Sequence, residues 1–292
     1  MTKKRKKYPT ILRYPGGKSR IAWYLFDQEM LPENITEYRE GFLGGGSCAL
    51  TFSTMYPDIP VWVNDLFYEL YCFWTQLQAD PKRLHAAAHE VKDNCGNTLE
   101  DHKKEYLRIK DLFDNPGDDF DRALSFYVLN RMSFGGMIGR GSNFTSDSFR
   151  GKIFDRQKID NLLSVAEIIK NWKITNTDYR ELMLTPGKER GVFVFLDPPY
   201  KIKDMLYGKS GDMHKTFSHE DFAEACWECS HNIQITYNDD PSLRELFDTM
   251  IMETFEFTYS LAHRPDSNKN KKEELLIMNY TPQRDRRGVL PF

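Results

Sequence analysis

The most constraining feature of this chain is residues 195–200, which read FLDPPY and follow an apolar run at 191–194. A buried strand is predicted there. It must stop at the two prolines, because proline cannot donate to a sheet ladder and its φ angle is fixed. The strand end therefore holds Asp197 and Tyr200 at a carboxyl edge, which is where ligands bind in open α/β sheets.

From about residue 35, short apolar runs alternate with amphipathic stretches in the β–α–β–α order that is typical of a parallel sheet. Residues 79–150 break this order because they are mostly helical and polar, and the order resumes afterwards. We therefore predict an α/β fold in two pieces, 1–75 and 151–292, with a mostly helical insertion at 76–150. The predicted elements are strands at 36–44, 61–64, 173–178, 191–197 and 232–238, helices at 47–56, 66–78, 120–132, 161–172 and 218–231, a glycine-rich loop at 133–151, and a hairpin of 252–262 with 273–280.

The net charge is only −3, which by itself does not indicate a nucleic-acid-binding protein. Residues 1–20, however, carry eight Lys or Arg and no acid, and residues 122–152 carry five against Asp147 alone. Such local basic patches suit a protein that meets phosphates on one face. They are equally consistent with a solvated tail and ordinary surface charge.

Cellular location is indicated by what the sequence lacks. No run of 18 apolar residues occurs, so no membrane span is predicted. The basic N-terminus has no apolar stretch behind it and is not expected to be a secretory signal. Five scattered cysteines are typical of a reduced, cytoplasmic protein.

Three consecutive glycines, Gly44 to Gly46, leave the first predicted strand and enter a helix, so a ligand can approach the backbone closely. Asp65 follows Gly46 at about the distance at which an acid accepts both hydroxyls of a ribose. An adenosine-type cofactor is therefore indicated. The third glycine of a dinucleotide fingerprint is missing, which disfavours a nicotinamide cofactor. Upstream, Lys18 in RYPGGKSR (13–20) places an amine on a carboxylate or phosphate, or belongs to a surface turn.

The DPPY motif fits a planar exocyclic amine as the acceptor group. Asp197 and the carbonyl of Pro198 both accept hydrogen bonds, and together they can hold an NH₂ and turn its lone pair toward an electrophile. Tyr200 offers a face on which a base can stack. A base within a duplex cannot reach such a pocket, so it must be flipped out of the helix.

The motifs YPGGK, FLGGGS, VND and DPPY, in that order, resemble the Dam-type DNA adenine methyltransferases of the alpha group. The resemblance spans roughly residues 11–280. It implies a Rossmann-like S-adenosylmethionine-dependent methyltransferase sheet with a C-terminal antiparallel hairpin. Residues 1–75 and 151–292 would form the catalytic domain, and 76–150 an inserted target-recognition domain. It also implies methylation of the 6-amino group of a flipped adenine at a specific DNA site.

Residue roles follow from the same resemblance. The catalytic motif is Asp197, Pro198, Pro199 and Tyr200. Asp65 would hold the ribose of S-adenosylmethionine, Asp178 would lie near its adenine, and Asp197 would border it. The remaining cofactor residues are Tyr14 and Lys18 at the methionine end, and Phe42, Gly44, Gly45 and Gly46 along the bed.

DNA contacts are implied for LNRMSFGGMIGR (129–140), which resembles the recognition segment of the family. Arg131 would lie near DNA, Phe134 would stack on or wedge between bases, and Arg140 would read a guanine edge, as arginines do. Gly41 stands where the family usually has proline, which loosens that turn. Gly135 stands where the family usually has asparagine, which leaves the target sequence open.

Two alternatives remain beside adenine methylation. One keeps the fold and changes the acceptor to the 4-amino group of cytosine or to a glutamine amide. The other is a DNA-binding module with a degenerate core that no longer binds the cofactor. The expected partner is double-stranded DNA, a cognate restriction endonuclease is a candidate partner, and the expected state is a monomer in a bacterial cytoplasm, encoded by the cell or by a phage.

No metal site is predicted. Cys226 and Cys229 have CxxC spacing, but they lie on a predicted helix, and no second pair stands at metal-ligand spacing. His85 and His89 are four residues apart, but their helix offers no obvious third ligand.

Overall fold

The computed structural model describes residues 10–14, 16–138, 143–200, 217–258 and 271–286, without the side chains of 256–258, 271, 272, 285 and 286. The chain divides into two compact units. The first comprises Met1–Trp23, Gly44–Asp58 and Phe67–Ile174, and the second comprises Tyr24–Leu43, Ile59–Leu66 and Thr175–Phe292.

Seven strands form one sheet in the order β3-β2-β1-β4-β5-β7-β6. β1 is parallel to β2 and β4, β4 is parallel to β5, and β7 is antiparallel to both β5 and β6. This Rossmann-like sheet with a C-terminal antiparallel hairpin confirms the predicted fold class. The strands are β1 (Glu37–Glu40), β2 (Val61–Asn64), β3 (Lys173–Thr175), β4 (Val192–Leu196), β5 (Asn232–Asn238), β6 (Ile251–Thr258) and β7 (Lys271–Met278).

The central strand β4 is buried at all five positions, which explains its unbroken apolar sequence VFVFL. On one face, the ring of Phe26 makes edge contacts with Phe193 and Phe195, at centroid distances of 6.4 and 5.3 Å. On the other face, Val194 and Leu196 join a cluster of buried apolar side chains from the second unit. Packing on both faces fixes where β4 ends, and so fixes the position of the DPPY motif.

The second unit also contains short helices whose first residues follow a capping side chain. Asp178, Ser218 and Asp240 each accept a hydrogen bond from a backbone N–H in the first turn. The helices are α9 (Tyr179–Leu184), α10 (His219–Glu228), α11 (Pro241–Leu246) and α12 (Gln283–Arg286), and α1 (Ala22–Leu25) crosses the boundary between the units.

The helices of the first unit are α2 (Ser47–Met55), α3 (Tyr68–Ala79), α4 (Pro81–Asn94), α5 (Leu99–Asp114), α6 (Asp119–Met132), α7 (Ser146–Phe149) and α8 (Arg156–Ile169). The central one is α6, because every residue from Ala123 to Met132 is buried. Tyr127 of α6 stacks on Phe73 of α3, with ring centroids 5.7 Å apart and planes 5° apart. Asp80, Thr98, Asp118 and Asp155 cap α4, α5, α6 and α8.

Several predicted boundaries differ from the observed ones. The helix predicted at 66–78 is observed at Tyr68–Ala79, and the division after residue 75, which stays a prediction, falls inside it. The helix predicted at 161–172 begins five residues earlier, because Asp155 caps it. The loop at 133–151 contains a short 3-10 turn at Phe134–Gly136 and the single turn α7. Within the described residues, none of the helices is long and apolar enough to span a bilayer.

Candidate active site

Asp197 lies directly after β4 and is half-buried, with Pro198 buried behind it. The hydroxyl of Thr236, on the adjacent parallel strand β5, donates a hydrogen bond to Oδ1 of Asp197 at 2.8 Å. Thr236 is itself completely buried, so the bond limits rotation of the carboxylate. The strand pairing thus presents one oriented acceptor at the carboxyl end of β4. Thr236 was not singled out by the sequence, because its partner lies 39 residues away.

Tyr200 is held by its hydroxyl. This group donates to Oε2 of Glu274 at 3.0 Å, and both side chains are buried. The Tyr200 ring also lies 6.0 Å from the ring of Tyr237 and belongs to the apolar cluster on this face of the sheet. The tyrosine is thus anchored to β7 as well as to the end of β4. Its expected stacking on a base stays a prediction.

The position of Asp65 is fixed by Asn64, which ends β2 and is buried. The Asn64 amide donates to the carbonyl oxygens of Gly41 and Thr177 at 3.3 and 2.9 Å, and its oxygen accepts from Thr175 Oγ1 at 2.9 Å. Asn64 therefore joins the chain segments that follow β1 and β3 to the end of β2. Asp65 is half-buried, and its backbone N–H donates to the carbonyl oxygen of Thr175 at 3.2 Å. The sequence analysis did not single out Asn64, whose one local signal is that it closes the apolar strand β2.

An aromatic cluster surrounds Phe42 in the second unit. Its ring lies 5.2 Å from Tyr179, 5.8 Å from Phe217 and 5.9 Å from Phe222. Burial raises the pKa of Tyr179 to about 12, so its phenol stays neutral at ordinary pH. Asp178, next to Tyr179, is exposed and caps α9 through a hydrogen bond from the N–H of Arg180 at 2.9 Å. An apolar wall for a flat ligand thus stands beside an exposed carboxylate.

The glycine turn in the first unit is shaped by two aromatic rings. A Cβ added to Gly45 would lie 2.8 Å from Cβ of Tyr14, and one added to Gly46 would lie 2.6 Å from the ring of Trp74. Gly44 and Gly46 also have φ angles of +49° and +68°, which favour glycine. The turn therefore requires glycine for packing as well as for any ligand. Trp74, whose Nε1 donates to the carbonyl oxygen of Gly44 at 3.3 Å, was missed by the sequence analysis.

Lys18 is buried, and its Nζ donates to the carbonyl oxygen of Gly16 at 3.0 Å. The turn before it is closed by a bond of 3.1 Å from the N–H of Gly17 to the carbonyl oxygen of Tyr14. This structure argues against a solvated surface turn, because a surface lysine would point its amine into water. An amine held close to its own turn is positioned rather than flexible.

The segment predicted to recognise DNA is joined to the N-terminal segment by Asn130. The buried Asn130 amide accepts from the N–H of Arg13 at 2.8 Å, and it donates to the carbonyl oxygens of Arg13 and Gly136 at 2.7 and 2.9 Å. A Cβ on Gly136 would lie only 2.1 Å from the carbonyl oxygen of Arg13. Asn130 therefore links the backbone at Arg13 to the backbone at Gly136 within the first unit.

Arg131 was expected near DNA, but it is buried. Its guanidinium donates to the carbonyl oxygens of Ile153 and Ile11 at 2.5 and 3.4 Å, and burial lowers its pKa. The side chain therefore ties backbone segments together in this structure. Direct contact of Arg131 with DNA stays a prediction.

Phe134 stands out from this buried framework because 46% of its surface is exposed. Gly135, next to it, has φ +65° and ψ 1°, a left-handed conformation that only glycine and asparagine adopt readily. The replacement of the family's asparagine by glycine therefore preserves the turn. Arg140 lies outside the described residues.

The geometry can be compared with known proteins. A family model described as D12 class N6 adenine-specific DNA methyltransferase matches residues 14–261, well over half of the chain. The type II methyltransferase M.MjaIII of Methanocaldococcus jannaschii is 29% identical over 205 residues, which cover 65% of this chain and 68% of that protein. The type II methyltransferase M1.LlaDCHI of Lactococcus lactis subsp. cremoris is 23% identical over 286 residues, covering 92% and 94%. A DNA N-6-adenine-methyltransferase of Escherichia phage P1 is 26% identical over 211 residues, covering 68% of this chain and 26% of that protein.

Proposed function

The chain belongs to the family of D12 class N6 adenine-specific DNA methyltransferases, and from this premise we propose which residues perform the reaction. It is an enzyme that transfers a methyl group to the 6-amino group of adenine in DNA. This activity supports the prediction that the DPPY motif holds a planar amine. It also favours adenine as the acceptor over cytosine or a glutamine amide, and an active enzyme over a DNA-binding module with a degenerate core.

The proposal rests on the bond between Asp197 and Thr236. The carboxylate is oriented at the carboxyl end of β4, and the rigid Pro198 follows it. Asp197 and the Pro198 carbonyl accept hydrogen bonds from the adenine amine and turn its lone pair toward the methyl donor. Pro199 fixes the turn, and Tyr200 stacks on the flipped base. The residues supply position and electrostatic stabilisation for a direct in-line transfer with no covalent enzyme intermediate.

S-adenosylmethionine is the methyl donor that this arrangement fits best. When bound, it supplies an electrophilic methyl group on a sulfonium. The turn of Gly44 to Gly46, packed against Tyr14 and Trp74, would bring backbone rather than side chains toward the cofactor, and the half-buried carboxylate of Asp65 would accept from the ribose hydroxyls. We assign the other cofactor contacts to Tyr14, Lys18, Phe42, Asp178 and Asp197.

Phe134 is the proposed wedge that separates bases. Its exposed ring stands on a turn that Asn130 holds in place, so the ring can enter a base stack while its support stays rigid. Arg131 would contribute indirectly by fixing the same segment, and Arg140 would read a guanine edge. In this proposal, the segment 76–150 recognises the target and residues 1–75 with 151–292 carry out catalysis.

The biological setting is proposed from the relatives. Two of them are named type II methyltransferases, which supports a role in restriction-modification with a cognate endonuclease. We expect the protein to act as a monomer on double-stranded DNA in the cytoplasm of a bacterium, whether the cell or a phage encodes it. The five cysteines are all free, as a reducing compartment requires.

The test of the catalytic assignment is Asp197→Ala. Transfer of label from S-adenosylmethionine to DNA should fall by at least about 100-fold, as for other losses of an oriented polar group in a transition state. Circular dichroism should show an unchanged fold, and calorimetry should show that cofactor binding falls far less than methyl transfer does. A variant that transfers methyl at the wild-type rate would refute the role of Asp197.

A further inference from the structure

Helices α4 and α8 bring three potential metal ligands to one point in the first unit. His85 and His89 lie one turn apart on α4, and Asp160 lies on α8. The Nε2 atoms of His85 and His89 are 2.9 and 2.8 Å from Oδ1 of Asp160, and they are 3.2 Å from each other. The sequence analysis found no third ligand on the histidine helix, because the third ligand is 71 residues away.

These separations match the edges of a coordination sphere. A point about 2 Å from all three atoms lies about 1 Å outside their plane, which agrees with the usual lengths of zinc bonds to imidazole and carboxylate, about 2.0 to 2.2 Å. Small outward movements of the side chains would widen the triangle to tetrahedral spacing. The ligands therefore need no rearrangement of the backbone.

We propose that His85, His89 and Asp160 bind a divalent transition metal ion, with zinc as the expected ion and water as its fourth ligand. Two imidazoles and one carboxylate suit zinc better than magnesium or calcium, which prefer oxygen ligands. Asp160 is 58% exposed, whereas the histidine side chains are 24% and 18% exposed. The site is thus open on the carboxylate side, where an ion can enter and a water can remain.

Arg156 lies beside the proposed metal site. Its Nη1 lies 3.2 Å from Nδ1 of His89, and its other nitrogen bonds Asp93. The guanidinium therefore places a positive charge beside the proposed ligand His89. Arg156 therefore opposes metal binding, and its removal should strengthen it.

The bound ion would join two helices that are distant in sequence. α4 lies in the segment predicted to recognise the DNA target, and α8 lies in the chain that follows it. Because the ion binds only when these helices are packed, it should stabilise the folded first unit. This role is independent of the methyl-transfer residues.

The experiment uses the untagged full chain, stripped of metal with a chelator and then titrated with Zn²⁺ by calorimetry and with Co²⁺ by visible absorption. We expect about one equivalent of saturable binding, the spectrum of four-coordinate Co²⁺ without thiolate bands, and a melting temperature raised by about 5 °C in excess metal. His89→Ala and Asp160→Asn should each weaken binding at least 10-fold and abolish the thermal shift.

Two further variants complete the test. Glu90→Gln alters an exposed carboxylate beside His89 and should bind like the wild type, whereas Arg156→Met should bind more tightly. Circular dichroism verifies that each variant is folded. Absence of saturable binding by the wild type, or binding that survives in His85→Ala and His89→Ala, would overturn the proposal. Weaker binding by Arg156→Met would contradict the assigned ligand atoms.

Discussion

The hydroxyl of Thr236 donates to the carboxylate of Asp197 at 2.8 Å, across the neighbouring parallel strands β5 and β4. Thr236 is fully buried, so it positions the carboxylate without being available to the substrate. The carboxyl ends of two parallel strands therefore cooperate, one supplying the functional group and the other its orientation.

Replacement of Thr236 by valine tests this positioning role. Valine keeps the shape but removes the donor, and the loss of a hydrogen bond to a charged acceptor should slow single-turnover methyl transfer about 10-fold. Thr236→Ser keeps the donor and should stay near the wild-type rate. Equal rates for the valine variant and the wild type would show that the bond does not orient Asp197.

Asn130→Ala should destabilise the protein strongly. The substitution leaves the N–H and carbonyl oxygen of Arg13 and the carbonyl oxygen of Gly136 without their amide partner in a buried site. We expect the free energy of unfolding to fall by about 3 kcal/mol, measured in urea. The matched control is Asn171→Ala, an exposed position that should change it by less than about 0.5 kcal/mol. Similar effects at both positions would show that the hydrogen bonds of Asn130 do not stabilise the fold.

Substitution of Gly135 and of Gly136, in the 3-10 turn Phe134–Gly136, should change the free energy of unfolding by different amounts. Gly136→Ala places a Cβ 2.1 Å from a backbone oxygen at a positive φ and should reduce the free energy of unfolding by more than about 2 kcal/mol. Gly135→Asn restores the residue usual in the family at φ +65° and should cost less than about 1 kcal/mol. Thermal melting of both variants measures the difference, and the reverse order would contradict the turn geometry.

His102 makes stability depend on pH. It is buried, its Nδ1 has no hydrogen-bond partner among the described residues, and burial, with Lys92 nearby, lowers its pKa from 6.5. The unfolded chain therefore binds more protons, and this residue's contribution to stability is present above pH 6.5 and lost as the pH falls below it. Urea unfolding on either side of that pH should show a smaller decline for His102→Phe than for the wild type. Identical declines would remove His102 as the cause.

The bounds of several strands could be predicted from the sequence, because residues within or next to each strand determine where it ends. The strands at 61–64 and 232–238 have their predicted bounds, because the first is an apolar run, the second alternates apolar and polar residues, and asparagine closes both. The prolines at 198 and 199 place the end of β4 one residue earlier than predicted, which leaves Asp197 outside the ladder.

Residues that act through distant partners could not be predicted in this way. Asn64, Trp74, Thr236 and Asp160 acquire their roles only when the fold brings their partners near, and no spacing rule relates those partners. Arg131 illustrates the same limit, because its place in the motif does not reveal that its guanidinium is directed at backbone carbonyls. Exposure and pairing are properties of the packed chain.

The most direct measurement is the identity of the methylated base. The wild-type protein is incubated with methyl-labelled S-adenosylmethionine and unmethylated DNA, and the DNA is digested to nucleosides and separated. Label in 6-methyladenine is expected, at a level that Asp197→Ala reduces to background. Label in cytosine, or no label from a folded protein that binds the cofactor, would contradict the assignment of the DPPY pocket to the adenine amine.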